Sequence, residues 1–96
     1  MVGMASASGI SPSHCEIVTV FGADWCPDCR RAEAVLHAAG VPFDKIDVAA
    51  EESAAARAEA ISGQRHIPVV VFPDDTFYVE PTNLELGLKL AALGLA

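Results

Sequence analysis

Cys26 and Cys29 stand either side of a two-residue gap in Trp25-Cys26-Pro27-Asp28-Cys29, and that spacing permits two kinds of chemistry. A C-x-x-C pair can pass two electrons to a disulfide, or it can supply half the ligands of a metal site. The redox use needs a thiolate, and because a free thiol ionises only near pH 8.5, the reacting cysteine needs a field that favours negative charge. Pro27 suits a first helical position, which sets the Cys26 sulfur beside unpaired N–H groups and the positive end of the helix dipole. Cys26 is thus expected to stand exposed there as the nucleophile. Cys29, one turn on and facing inward, is near enough to attack a mixed disulfide formed at Cys26. Arg30 and Arg31 add positive charge while Asp24 and Asp28 oppose a thiolate, and sequence leaves open which pair prevails. For the metal use, His14-Cys15 with Cys26 and Cys29 gives Cys₃His in number. Structural zinc sites bring two close pairs on turns, however, whereas Cys15 opens a strand and the other pair opens a helix, so no metal is assigned. Cys15 reads as a plain strand residue, with regulatory oxidation as its alternative role.

A second element lies far along the chain at Ile67-Pro68. A proline in an ordered turn before a strand can hold a cis bond that exposes the preceding backbone N–H and C=O, and those groups can pair with an incoming peptide or thiol. Taken alone, a strand-initial proline reads as trans and purely structural; its order after the C-x-x-C is what favours a cis bond here, expected across from Cys26. Trp25 reads equally as a packed aromatic or as a lid beside the sulfur. Arg65 reads as a solvated loop residue with a possible use in holding a carboxylate, and His66 as a surface residue.

The elements that must position these groups follow from periodicity. Glu16 to Phe21 is β-branched and aromatic and reads as a strand ended by Gly22. Ala32, Val35, Leu36 and Ala39 recur at helical spacing after Pro27 and stop before Gly40. Val41 to Val48 reads as a second strand with Pro42 at its beginning. Glu51 to Ser62 reads as an Ala-rich helix with Ala54, Ala58 and Ile61 on one face and Gly63 after its end. Pro68 to Phe72 is an uninterrupted apolar run, hence a strand buried on both faces, and Pro73-Asp74-Asp75 turns it back into Thr76 to Val79. Thr82-Asn83-Leu84-Glu85 has the form of a capping box and opens a last helix whose leucines, at 84, 86, 88, 90 and 93, are read as core; a surplus on its second face would permit a weak dimer contact. The order β-α-β-α-β-β-α implies an α/β fold: a right-handed β-α-β unit with parallel strands, a late antiparallel hairpin, and a four-stranded mixed sheet with helices on both faces. Cys26 then falls at the carboxyl end of the first strand, where ligands collect in such sheets.

Composition narrows the function. Ninety-six residues suffice for one domain, read as residues 14–96 behind a small, polar tail at 1–13. The formal charge is 6 − 13 = −7 with no basic block, which argues against nucleic acid. No apolar run reaches the roughly 20 residues of a membrane-spanning helix. The first ten residues have neither a basic segment nor a sustained apolar run, and the three cysteines are odd in number. Both observations predict a reducing, cytoplasmic setting.

Over roughly residues 15 to 95, the Trp25-Cys26-Pro27-Asp28-Cys29 motif after a strand, followed by Ile67-Pro68-Val69 before a hairpin and a final helix, resembles a glutaredoxin of the thioredoxin fold. Within that family the chain looks most like the mycothiol-linked mycoredoxins and their glutaredoxin-like relatives. The resemblance implies a thiol–disulfide oxidoreductase with Cys26 and Cys29 catalytic, and substrate contacts from Trp25, Pro27, Arg65, Ile67, Pro68, Thr82 and Asn83. It implies no tightly bound cofactor, a low-molecular-weight thiol as co-substrate, disulfide-bearing proteins and a flavoprotein disulfide reductase as partners, and a monomer. Glutathione-using members typically carry a Lys shortly before the active-site Cys and a Gly-Gly pair before the last helix. Here those places hold Gly22-Ala23-Asp24 and Glu80-Pro81. Glu80 would repel the γ-glutamate carboxylate of glutathione, so mycothiol, which has no such carboxylate, is the expected co-substrate. The alternative from a different class is a non-catalytic zinc-binding or interaction module on the same fold.

Overall fold

β1 (Val18–Gly22), α1 (Pro27–Ala38), β2 (Phe43–Asp47), α2 (Glu52–Ser62), β3 (Val69–Val71), β4 (Phe77–Val79) and α3 (Asn83–Ala92) follow one another in the computed structural model, which describes residues 17–96. The expected tail, His14, Cys15 and the strand start at Glu16 lie outside the described residues. The strands form one sheet in the order β2-β1-β3-β4. β1 and β2 run parallel, with Val20 beside Lys45 and Gly22 beside Asp47, while β3 pairs antiparallel with both β1 and β4. This is the thioredoxin-like mixed sheet, and its inner strand β1 is buried along its whole length.

Alternation along the inner strands supplies two cores. Val18, Val20 and Val70 point to the layer made by α1 and α3, where they meet Ala32, Leu36, Leu86 and Leu90; Phe21 and Val69 point to the other layer, against Ala58 of α2. Each large aliphatic or aromatic side chain so buried stabilises the fold by about 1.5–3 kcal/mol. Small residues bring α2 close: Ala54 and Ala58 are buried, and Gly63 ends the helix in the left-handed region at φ 75°. Thr82 caps α3, accepting from the Glu85 N–H at 3.0 Å while the Glu85 carboxylate accepts from the Thr82 N–H at 2.8 Å.

Several boundaries and one burial pattern depart from expectation. β3 is shorter than the apolar run, because Pro68 has no N–H to give the ladder and the Phe72 N–H instead donates to the Thr76 carbonyl inside the turn. β2 begins after Pro42, at Phe43, and β4 begins at Phe77. Leu84 and Leu88 are not core: they are 71% and 62% exposed, one turn apart, since α3 buries only the stripe through Leu86 and Leu90. Ile61 is exposed too, on the last turn of α2 and clear of the Phe21–Val69 layer.

The close approach that places the motif occurs at Gly22. A Cβ there would lie 2.8 Å from the Cys29 Sγ and 3.0 Å from the Cys29 Cβ, so a methyl would push the first turn of α1 off the end of β1. Gly22→Ala is expected to lower stability by about 1–3 kcal/mol. Urea denaturation reads this as a lower midpoint at constant slope, and an unchanged midpoint would mean that the helix start is free to shift. Thr82→Ala should cost about 1 kcal/mol in the same assay through loss of the cap.

Candidate active site

Cys26 is the residue immediately before α1, in extended conformation at φ −87° and ψ 112°, and Pro27 occupies the first helical position. Its Sγ accepts a hydrogen bond from the Cys29 N–H at 3.3 Å, so the sulfur serves as the helix cap. The free N–H groups of the first turn and the positive end of the helix dipole therefore converge on this sulfur. Cys26 is only 7% exposed, less than the sequence suggests, since Ala23 and Ile67 pack around it. Cys29 is fully buried beneath it. Burial pushes the Cys29 thiol up to about 12; the hydrogen bond with Cys26 adds to this, and a backbone hydrogen bond at Ala23 offsets part of it. The two thiols are therefore unlike, one at a helix terminus and one in the interior, and both are free.

Charges around the motif are paired off in a way the sequence leaves open. Asp24 is held by Lys45 of β2, which keeps its carboxyl below the usual range and raises the lysine in return. Lys45 also lies 3.7 Å from Glu33. Arg31 bonds Asp28 at 3.3 Å, the Asn83 side-chain oxygen at 2.7 Å and the Pro81 carbonyl at 3.2 Å, so it ties α1 to the start of α3. The sequence carries no local signal for Lys45, Glu33 or this Arg31 latch. Finding them requires the β1–β2 register and the α1–α3 packing.

The Ile67–Pro68 bond is cis, and Ile67 packs against the Ala23, Cys26 and Cys29 cluster. Pro68 is buried, and its carbonyl accepts from the Glu80 N–H at 2.9 Å, which sets Glu80 beside it. Glu80 has φ +49°, and its carboxylate lies 4.0 Å from Nδ1 of His66. On the α2 side a groove of about 170 Å³ is lined by Val48, Ala58, Arg65, His66 and Ile67 among others. Arg65 is exposed at its rim and bonds Glu59 at 3.0 Å. Trp25 is 71% exposed, which removes the packed-aromatic reading. Thus Cys26, Cys29 and Ile67 come together, with Trp25, Pro27 and Pro68 as their chain neighbours; Arg31 ties Asn83 and the Pro81 carbonyl on either side of Thr82 to α1, and Arg65 stands apart. Among the described residues no group of three or more metal-type side chains converges, and no helix is long and apolar enough to cross a membrane. The Cys₃His set would need His14 and Cys15, which are outside those residues.

A protein-family model described as Glutaredoxin matches residues 18–77. The chain is 35% identical over 77 residues to Mycoredoxin 1 of Corynebacterium glutamicum, across 79% of this chain and 95% of that protein. Among solved structures it is similar to a glutaredoxin from Archaeoglobus fulgidus, with a TM-score of 0.71 and 25% identity over 79% of this chain and 87% of that one. It also shares its fold with a buckwheat glutaredoxin–glutathione complex, with a TM-score of 0.59 and 20% identity over 81% of this chain and 70% of that one. Matches of that extent make the chain a member of the glutaredoxin family, mycoredoxin-like in sequence and a thiol–disulfide oxidoreductase in activity.

Proposed function

We propose that the protein reduces protein and mixed disulfides through Cys26 as nucleophile and Cys29 as resolving thiol, with mycothiol rather than glutathione as its co-substrate. The observation that carries the reading is the sulfur of Cys26 capping α1 above a buried Cys29, with Ile67 and the cis Pro68 beside them. Cys26 attacks one sulfur of the substrate disulfide, the other leaves as a thiol, and the mixed disulfide on Cys26 is released by Cys29 or by a small thiol. Trp25, Pro27 and Ile67 form the surface that a substrate meets first, and Pro68, buried behind Ile67, acts through the backbone of the cis turn. Thr82 and Asn83 lie at the α3 end of that surface and Arg65 at the α2 end. A flavoprotein disulfide reductase or mycothiol returns the electrons, and a monomer in a reducing cytoplasm suits that cycle.

The choice of mycothiol rests on Glu80. Its N–H is bonded to the Pro68 carbonyl just before the start of α3, the place that the resemblance to glutathione-using glutaredoxins implies for a γ-glutamate carboxylate, and like charges repel. One exposed charge contact is worth about 0.2–1 kcal/mol. The similarity to Mycoredoxin 1 supports the same choice.

Cys26→Ser is expected to bring disulfide reduction to background, while Cys29→Ser accumulates a mixed disulfide visible by mass spectrometry. Full activity in Cys26→Ser would contradict the assignment. At equal thiolate concentration mycothiol should reduce the mixed disulfide faster than glutathione, and Glu80→Gln should raise the glutathione rate by up to about fivefold. A faster reaction with glutathione in the wild type would overturn the co-substrate while leaving the cysteine roles intact.

A further inference from the structure

Among the described residues, the one buried side-chain oxygen without a hydrogen-bond partner is Oε2 of Glu33. Burying a carboxylate oxygen with no donor is costly, and the packing of α1 does not call for it, because Ala32 and Leu36 make the core contacts on either side. Glu33 follows Cys29 by four residues on α1, so the two side chains share one helix face in successive turns. Its other oxygen, Oε1, is 3.7 Å from Lys45 Nζ, and Lys45 bonds Asp24 at the mouth of the motif. An unpartnered acceptor is thus held one helical turn from the interior thiol, with Lys45 at its other oxygen.

That thiol sits well above neutrality, and the negative charge of Glu33 is among the causes. Ionising Cys29 before it attacks would leave only a minute reactive fraction at pH 7, so an efficient resolving step removes the proton as the new bond forms. As a fixed charge Glu33 only makes the thiolate harder to form. A carboxylate in this place helps the reaction only if it takes the proton.

We propose that Glu33 accepts, through one intervening water, the proton that Cys29 loses when it resolves the mixed disulfide on Cys26, an inference that rests on the dithiol reading above. In that step Cys29 Sγ bonds to Cys26 Sγ and the bond from Cys26 Sγ to the substrate sulfur breaks. The substrate sulfur departs with the electron pair as a thiolate, and the Cys29 proton passes to the Glu33 carboxylate and on to solvent. Over both steps the two cysteines are oxidised to one disulfide and the substrate disulfide is reduced to two thiols. The charged and titratable groups around Glu33 are Cys29 and the exposed His37 on its own helix, Lys45 on β2 and Asp24 in the loop before Cys26, with Asp47 acting on Lys45 and Arg30 on Asp24.

The test uses the full chain in a Cys15→Ser background. Mixing reduced protein with an aromatic nitrobenzoate disulfide releases coloured thiolate in two phases, the first from attack by Cys26 and the second from displacement by Cys29. Glu33→Gln should leave the first phase unchanged, slow the second roughly a hundredfold at pH 7, and abolish the rise of the second-phase rate that marks ionisation of the base. Lys45→Met should move that rise to higher pH, because the carboxylate loses its counter-charge. A second phase in Glu33→Gln as fast as wild type, or faster as a mere fixed charge would give, overturns the proposal. If Glu33→Gln alters the first phase as well, Lys45→Met decides, and an unmoved pH limb overturns it. A second phase that persists in Cys29→Ser would instead overturn the dithiol reading, so the two failures are told apart.

Discussion

Gly22 has no side chain, and the thiol of Cys29 fills the space where one would be. The first turn of α1 can therefore rest directly on the carboxyl end of β1, and the positions of both cysteines follow from that contact. With Cys29 pressed inward, the residue three before it must lie at the helix start, where its sulfur meets free backbone N–H groups. One steric allowance converts two chemically identical side chains into an outer and an inner thiol. The proposed dithiol cycle depends on that difference, because a resolving thiol should not compete with the nucleophile for substrate.

The rest of the fold holds that contact in place from three directions. Val18 and Val20 fix β1 in the layer shared with α1 and α3, and Phe21 fixes it from the other side against α2. Arg31 joins α1 to the residues that open α3, so the start of that helix moves with the active-site helix. The Ile67–Pro68 turn closes the remaining side over the cysteines. Electrostatics then act on a fixed frame: Lys45, Asp24 and Glu33 form a connected set reaching from the loop before Cys26 to the turn after Cys29.

Local signals made much of this legible in the sequence. Pro27 and Gly40 bracket α1, Thr82 and Glu85 announce α3 through a capping box, and the C-x-x-C pair and Ile67-Pro68 mark the site itself. What stayed hidden depends on pairing across the chain. Lys45 reaches Asp24 only because β2 lies parallel to β1 in one register, and Arg31 reaches Asn83 only because α1 and α3 share a face. Residue type alone puts Leu84 and Leu88 in the core, and only the packing of Leu86 and Leu90 shows which stripe of α3 is buried. Gly22 looked like a strand stop, and its closeness to Cys29 has no sequence signal short of the fold.

The claim on which the account turns is that Cys29 is an interior thiol, kept protonated by burial. Carbon-13 labelling of the cysteine Cβ positions and an NMR titration of the reduced protein measure this directly, with Cys→Ser variants giving the assignments. The account predicts that the Cys29 resonance keeps its thiol shift through the ordinary thiol range near pH 8.5 and moves only toward pH 12. A Cys29 that titrates in the ordinary range, at or before Cys26, would contradict it.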